Sequence, residues 1–163
     1  MLFVCSAFIL ASMAFSMNLN HQIANYAVVP LPRSIVMQKG EGFMVNPQVV
    51  IVAMDGSLTR NAEFLHEYLK EEAQIDAAIG GKVVNGRSIV LQLNGKMTEA
   101  EGYRISVNRK SVTIEGRTPQ GVFYGIQTLR KSLAGLQGEA VLPAVVIEDA
   151  PRFGYRGMHL DVA

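Results

Sequence analysis

The stretch from Glu101 to Leu129 reads EGYRISVNRKSVTIEGRTPQGVFYGIQTL. The spacing of its apolar residues changes once, from that of a strand to that of a helix. Apolar and polar residues alternate over Tyr103 to Val107 and again over Val112 to Glu115, which is the period-two pattern of half-buried strands. The residues between them, Asn108 to Lys110, are typical of a short hairpin loop. The stretch therefore predicts an antiparallel strand pair with one covered face.

A helix is predicted to follow the second strand. Thr118 supplies a capping hydroxyl, and Pro119 takes the first helical position. Gly135 is expected to end the helix. Gly121 and Gly125 lie about one turn apart inside it, and glycine in a helix costs up to ~1 kcal/mol relative to alanine, so we expect close backbone packing there. The apolar stripe that faces the sheet consists of Val122, Ile126, Leu129 and Leu133.

Towards the N-terminus, the alternation over Arg87 to Leu93 predicts a third strand. A first helix is predicted from Leu58 to about Ile79, capped by Asp55 or Ser57 and ended by Gly80-Gly81. Its charged residues lie largely away from the apolar stripe, so they indicate a solvated face. That stripe consists of Leu58, Ala62, Leu65 and Leu69.

Proline residues mark the outer parts of the sequence. Tyr26 to Arg33 contains two prolines and is predicted to be an extended leading segment. Phe43 to Val45 and Val49 to Met54 are β-rich runs with a turn at Pro47 between them. Val141 to Ile147 is a final strand, expected at a sheet edge because Pro143 interrupts it. Together these elements predict an α+β fold, an antiparallel or mixed sheet with two packed helices.

Composition excludes several classes of protein. The 163 residues suit one domain and are too few for a complete (β/α)₈ barrel, which needs roughly 200 residues or more. A net charge of +1 gives no basic surface for nucleic acid. The single cysteine excludes an internal disulfide, and the histidines are too scattered for a local metal motif. No short catalytic or nucleotide-binding motif is present.

The N-terminus is predicted to be a signal peptide over residues 1–20, which contain no charged side chain. Ser12-Met13-Ala14 and Ala14-Phe15-Ser16 are candidate cleavage sites, although no Lys or Arg precedes the apolar run. The alternative is a buried first strand or helix. Cleavage would remove Cys5 and place the mature chain in the periplasm, at the cell surface or outside a bacterial cell.

Two stretches resemble a known family. Glu101 to Leu129 resembles the accessory domain that precedes the catalytic barrel in family 20 glycoside hydrolases, the β-N-acetylhexosaminidases. Ile147 to Ala163, here called the junction segment, looks like the point where that barrel begins. Val29 to Pro32 matches the family's proline-rich opening. The resemblance implies an accessory domain over 26–149 and the start of a truncated TIM barrel over 150–163.

The resemblance also implies a chemistry. Family members remove terminal β-linked N-acetylglucosamine or N-acetylgalactosamine from glycans with retention of configuration, and need no metal or cofactor. The substrate's 2-acetamido oxygen attacks the anomeric carbon to give an oxazolinium, while an Asp orients the acetamido group and a Glu protonates the leaving oxygen. That Asp-Glu pair is missing here, so we expect an N-terminal fragment that is inactive alone. The alternatives are a non-catalytic accessory module and a related exported glycosidase with another barrel.

Four residues of the junction segment are candidates for a role. Arg156 matches the arginine with which the family binds the 3- and 4-hydroxyls of the terminal sugar, a task that suits a five-donor guanidinium. The alternative for Arg156 is a structural ion pair. Asp161 is a candidate for orienting a substrate-binding residue without touching the substrate. The preferred interpretation is a buried structural carboxylate. His159 is expected to be a core strand residue, and Arg152 to tie the junction segment to the accessory domain.

The remaining candidates are interpreted as structural. Tyr103, Phe123 and Tyr124 resemble a sugar-stacking platform but are expected to be core, because they lie on strand and helix faces that pack. His66 is predicted on the exposed side of the first helix, without a role. Glu101 is a carboxylate at the edge of a turn, without a partner acid. Neither a nucleic-acid partner nor a membrane-embedded mature protein is expected.

Overall fold

The structure is a computed structural model that describes residues 22–154 and Gly157. The two helices of this part of the chain are α1 (Thr59–Glu71) and α2 (Pro119–Ser132). The strands are β1 (Gln22–Ile23), β2 (Ser34–Met37), β3 (Phe43–Val45), β4 (Val50–Ala53), β5 (Ala78–Ile79), β6 (Ser88–Leu93), β7 (Tyr103–Asn108), β8 (Ser111–Gly116), β9 (Ala140–Leu142) and β10 (Val145–Asp149).

The main sheet is mixed and has the strand order β2-β10-β7-β8-β6-β4-β5. β7 and β8 form the predicted antiparallel hairpin, in which Ile105 lies opposite Ile114 and Val107 opposite Val112. β8, β6, β4 and β5 run parallel to one another. Both helices pack against this sheet, so the predicted α+β class is confirmed.

The helices cover one face of the main sheet and form the core with it. The opposite face carries polar side chains, among them Arg104, which lies opposite both Glu115 and Glu148 in the register. Within the described residues, neither helix has the length and apolar character needed to cross a bilayer. Fully buried side chains from the helices, the strands and the turn before α1 include Leu58, Leu65, Leu69, Ile89, Leu91, Ile105, Ile114, Ile126 and Leu129.

The final strand differs from the prediction. Instead of one edge strand over Val141 to Ile147, the chain forms two strands, and each has neighbours on both sides. β9 lies between β1 and β3 in a small sheet, and β10 lies between β2 and β7 in the main sheet. Pro143 separates them because it cannot donate to a ladder, and its carbonyl accepts a hydrogen bond from the Tyr26 hydroxyl at 2.8 Å.

The first helix is shorter than predicted. α1 ends at Glu71 rather than near Ile79, and Gln74 has a left-handed φ of 56°. From Ala73 to Ala77 the buried and exposed residues alternate with a period of two, so this stretch is not part of the helix that is predicted there. Asp55 is a cap as expected, but of the 3₁₀ turn Gly56–Leu58, where its Oδ1 accepts from the Ser57 N–H at 2.8 Å.

The second helix agrees with the prediction at its start and in its packing. Thr118 Oγ1 accepts from the Gly121 N–H at 3.3 Å, and Pro119 opens the helix. A Cβ on Gly121 would lie 2.4 Å from the Gly102 carbonyl oxygen, and one on Gly125 would lie 2.5 Å from Ile114 Cγ2. Glycine is therefore required at both positions for α2 to approach the sheet this closely.

Candidate functional site

An open groove of about 610 Å³ lies where three segments meet. These are the leading segment (residues 26–33), one side of α2, and the described start of the junction segment. Leu31 and Phe153 contribute apolar surface that is 63% and 72% exposed. The groove is concave and has convergent polar groups, and such features are the usual sites of binding. Its lining includes Leu31, Tyr124, Gln127, Lys131, Arg152 and Phe153.

The floor of the groove is a hydrogen-bonded cluster. The buried hydroxyl of Tyr103 lies 2.6 Å from Thr128 Oγ1 and donates to Asp149 Oδ2 at 3.4 Å. Burial raises the pKa of Tyr103 to about 12. The phenol therefore remains protonated at neutral pH and acts here as a hydrogen-bond donor.

The rim is held by side chains of α2. Gln120 Nε2 donates to Glu101 Oε1 at 3.1 Å and to the Tyr124 hydroxyl at 2.8 Å. Lys131 Nζ donates to the Val29 carbonyl at 2.5 Å, which joins α2 to the leading segment. Glu101 is thus bonded across a turn to the first turn of α2.

The junction segment is anchored by Arg33. Its Nη2 donates to the Pro151 carbonyl at 2.8 Å, and its backbone N–H donates to Asp149 Oδ1 at 3.2 Å. Ala150 is buried beside Gly102, whereas Arg152, Phe153 and Gly154 are exposed. Arg33 therefore holds Pro151, which directly follows the buried Ala150.

The candidates for substrate binding fall in an undescribed part of the chain. Arg156, Asp161 and His159 lie outside the described residues, and their roles stay predictions. Arg152 lines the groove with an exposed side chain. The predicted tie between Arg152 and the accessory domain stays a prediction. Arg33, predicted only to lie in an extended segment, donates hydrogen bonds to the described start of the junction segment.

The three aromatic candidates differ in burial and in whether they line the groove. Tyr103 is core, as predicted, with 4% of its surface exposed. Phe123 is half-buried, and its ring lies 5.1 Å from that of Phe64. Tyr124 is half-buried as well, but it packs on the core and also lines the groove. Tyr103 and Tyr124 therefore both combine a packing role with a place at the groove, whereas Phe123 does not line it.

The prediction for His66 is wrong. The side chain is half-buried rather than exposed, and Nδ1 lies 2.7 Å from the Ala77 carbonyl. Because a carbonyl only accepts, the Nδ1 of His66 carries the proton and ties α1 to the segment before β5. Among residues 22–154 and Gly157, no group of His, Cys, Asp and Glu side chains could hold a metal ion.

Asp149 and Arg33 are the residues of this site that sequence reasoning missed. Arg33 and Pro151 are 118 positions apart, so no local spacing links them. The available indication of this contact was the prolines near both ends of the domain. A proline has no backbone N–H, so it takes part in backbone hydrogen bonds only through its carbonyl.

Comparison with known proteins gives a consistent result. The model of glycosyl hydrolase family 20, domain 2, matches residues 25–150. A β-hexosaminidase of Porphyromonas gingivalis is 31% identical over 144 residues, which is 83% of this chain and 18% of that protein. A β-N-acetylhexosaminidase of Cellulomonas fimi is 38% identical over 64 residues, covering 39% of this chain and 13% of the relative.

Solved structures agree with these sequence matches. The N-acetyl-β-hexosaminidase of Streptomyces plicatus, in complex with Thio-NAglucal, superposes with a TM-score of 0.69 and 28% identity. The match covers 79% of this chain and 27% of that one. The family 20 β-N-acetylhexosaminidase of Streptomyces coelicolor A3(2) gives a TM-score of 0.67 and 26% identity over the same shares. The chain thus spans less than a third of the length of these relatives.

Proposed function

This chain belongs to glycosyl hydrolase family 20, and from that premise we propose that it forms the N-terminal part of a β-N-acetylhexosaminidase. The observation that carries the proposal is the domain 2 match over residues 25–150. The junction segment, which resembles the start of the family's barrel, supports it. The proposed substrates are glycans that end in β-linked N-acetylglucosamine or N-acetylgalactosamine.

The proposed reaction proceeds with retention and uses the substrate's own 2-acetamido oxygen as the nucleophile. This oxygen is held close to the anomeric carbon, so the attack has a high effective molarity. In the whole enzyme, an Asp-Glu pair would orient the acetamido group and protonate the leaving oxygen. Of the residues in this chain, Arg156 is proposed to bind the 3- and 4-hydroxyls of the terminal sugar through its guanidinium.

The described domain is proposed to support the catalytic domain that continues from the junction segment. The groove lies beside the point where the chain leaves β10, and it offers exposed apolar surface at Leu31 and Phe153. Covering such surface would remove apolar area from water, which stabilises an interface between domains. We also propose a signal peptide over residues 1–20 and export of the protein, to be tested by sequencing the N-terminus of the mature protein.

The groove also favours a second function, a non-catalytic sugar-binding module. Tyr124 and Phe153 are aromatic, and Gln127 and Lys131 bring polar groups to the same concavity. Aromatic surface with a few polar groups is a common arrangement for ligand recognition. Titration with a saccharide distinguishes the two functions when the NMR signals of the Tyr124 and Phe153 rings are followed. A groove that binds sugar would change their chemical shifts, whereas a groove covered by a catalytic domain would not.

The main experiment uses the protein encoded by the complete reading frame that contains this chain. Purified protein is assayed with chromogenic β-N-acetylglucosaminide and β-N-acetylgalactosaminide, with the corresponding β-glucoside as the control substrate. Hydrolysis of the acetamido sugars with retention, and none of the β-glucoside, supports the proposal. Equal hydrolysis of the β-glucoside would contradict it, since a glucoside has no acetamido group to act as the nucleophile.

A further inference from the structure

We propose that one end of the described domain binds an anionic lipid surface, through two exposed valines of the β5–β6 loop (residues 80–87) and the cations around them. The contact is peripheral, at the headgroup layer of a bilayer. It is independent of the proposed glycosidase activity. The cations, here called the basic patch, are Lys39, Lys82, Arg87, Arg109 and Lys110.

The β5–β6 loop and the β7–β8 hairpin loop lie at the same end of the main sheet. Ser88 opens β6 and Ser111 opens β8, and these two residues are paired in parallel register. The Gly86 N–H donates to the Lys110 carbonyl at 2.6 Å, which joins the two loops directly. Arg87 and Lys110, which precede the paired strands, are therefore neighbours although they are distant in the sequence.

The turn after β2 belongs to the same end. Arg109 Nε lies 3.1 Å from Glu41 Oε2, which brings Lys39, two residues before Glu41, to the hairpin loop. Within the described residues, the side chains of the other four cations of the basic patch are exposed and form neither an ion pair nor a hydrogen bond. The fold thus gathers positive charge that it does not neutralise, although the net charge of the chain is only +1.

Val83 and Val84 are the apolar part of this surface, with 52% and 43% of their area exposed. Ser88 fixes Val84, because its Oγ accepts from the Val84 N–H at 2.7 Å and donates to the Val84 carbonyl at 3.0 Å. Ser88 lies next to Ile89, which belongs to the core, so the Ser88 side chain points to the opposite face of the sheet. Val84, with Val83 beside it, is therefore held on the face that the helices leave open.

The acidic residues near this end belong to the helix side of the sheet. Glu71 is the last residue of α1, and Glu72 follows it. Glu72 is paired with Arg130 of α2 at 2.8 Å, and Asp76 with Lys70 of α1 at 3.8 Å. These carboxylates lie across the sheet from the β5–β6 loop, so positive charge prevails on the open face at this end.

The chain continues from the opposite end of the sheet. Asp149 ends β10 opposite Tyr103, the first residue of β7, whereas the hairpin loop follows the last residue of β7. The length of β7, six residues, separates the two ends by about 17 Å. A catalytic domain that follows β10 thus starts away from the basic patch.

The combination of charge and apolar surface favours a lipid bilayer as the partner. Clustered Lys and Arg residues are attracted to anionic headgroups, and apolar side chains gain by leaving water at the boundary between headgroups and acyl chains. A soluble polyanion offers the charge but no apolar layer for Val83 and Val84. Stable attachment to a membrane generally needs two signals together, and this end supplies both.

The test measures co-sedimentation of the full-length protein with lipid vesicles. The protein is prepared without residues 1–20, because that apolar run would itself bind lipid. We expect binding to vesicles of phosphatidylglycerol and phosphatidylcholine in equal parts, and none to phosphatidylcholine alone. Lys82→Gln combined with Lys110→Gln should weaken the binding about tenfold or more, because two cations that face the lipid are lost.

Arg60→Gln combined with Lys96→Gln is the matched control. It removes the same charge from exposed positions at the other end of the sheet, after β4 and β6, and should change vesicle binding little. An equal loss in this control would overturn the inference, because it would show a response to net charge alone. No binding of the parent to the anionic vesicles would overturn it as well.

The valines separate a lipid surface from a soluble polyanion. Val83→Ser combined with Val84→Ser should weaken vesicle binding about fivefold or more, since apolar area no longer leaves water. Met54→Ser is the control, because Met54 is 58% exposed at the end of β4, away from the basic patch. Unchanged vesicle binding in the valine variant, together with binding of the parent to alginate, would assign the cations to an acidic polysaccharide and overturn the inference.

Activity and fold serve as separate readouts. Circular dichroism and the hydrolysis of a soluble acetamido sugar should be the same in all these variants, because none of the changed residues lines the groove. An inactive parent protein would contradict the proposed function, and the vesicle measurements would still decide whether this end binds lipid.

Discussion

The Tyr103 hydroxyl lies 2.6 Å from Oγ1 of Thr128, so a side chain of β7 is bonded to α2 inside the core. The same hydroxyl donates to Asp149, at the end of the strand from which the chain leaves the domain. One buried phenol thus links the sheet, the helix and the groove floor. Changes at Tyr103 should affect stability and the shape of the groove together.

Replacing Tyr103 with Phe should lower the free energy of unfolding by about 1–2 kcal/mol. The variant keeps the ring but removes the hydroxyl that bonds the buried Thr128, and loss of a buried hydrogen bond carries a cost of this size. Asp149 also loses a donor, although it still accepts from the Arg33 N–H. Urea denaturation measures the change. The double variant Tyr103→Phe, Thr128→Val should lose less free energy of unfolding than the two single variants lose in sum. Strict additivity would contradict a direct bond.

Alkaline pH should destabilise the protein between about pH 10 and pH 12. Burial raises the pKa of Tyr103 to about 12 in the folded protein, while an unfolded tyrosine titrates near 10. In this window the folded state holds a proton that the unfolded chain has lost, so the free energy of unfolding falls as the pH rises. Tyr103 contributes at most about 2 kcal/mol to this fall.

Urea denaturation at several pH values tests this contribution, with Tyr103→Phe compared with the parent protein. The variant should lose stability less steeply above pH 10. Part of the slope should remain, because burial raises the pKa of Tyr26 as well. Parallel curves for the two proteins would show that Tyr103 does not titrate with a raised pKa.

Alanine at Gly121 or Gly125 should destabilise the protein, although alanine favours helix by ~1 kcal/mol. At Gly125 the new methyl would lie 2.5 Å from Ile114 Cγ2, a side-chain atom, so we expect a loss of about 1–3 kcal/mol. At Gly121 it would lie 2.4 Å from the fixed Gly102 carbonyl oxygen, so the loss should be larger. Gly56→Ala is the control, since no atom lies within 4 Å of its Cβ position. Thermal unfolding gives the order, and a stabilised Gly121→Ala would refute the close approach.

Arg156→Ala in the full-length enzyme should lower kcat/KM for a chromogenic β-N-acetylglucosaminide by about 100-fold or more, because a charged hydrogen-bond donor to two hydroxyls is lost. Arg109→Ala controls for the loss of an arginine, as its ion pair with Glu41 is exposed. Circular dichroism should show an unchanged fold in both variants. Wild-type kinetics in Arg156→Ala would remove this residue from the site.

Local patterns predicted the elements that depend on neighbouring residues. The β7–β8 hairpin, the cap at Thr118 and the close approach of α2 at Gly125 follow from period, capping chemistry and glycine placement. The length of α1 was overestimated because Ala73 to Ala77 is apolar enough to continue a helical stripe. In the structure, that stretch alternates with period two and leads into β5.

The sequence by itself determined the fold class and, through the stretch Glu101 to Leu129 together with the junction segment, indicated the family. Both depend on hydrophobic period and on motifs that are continuous along the chain. Only the tertiary structure decided that Pro143 divides two inner strands and that Arg33 anchors Pro151. Those contacts join residues more than a hundred positions apart. The local pattern of side chains does not show which donor a distant backbone carbonyl will bond.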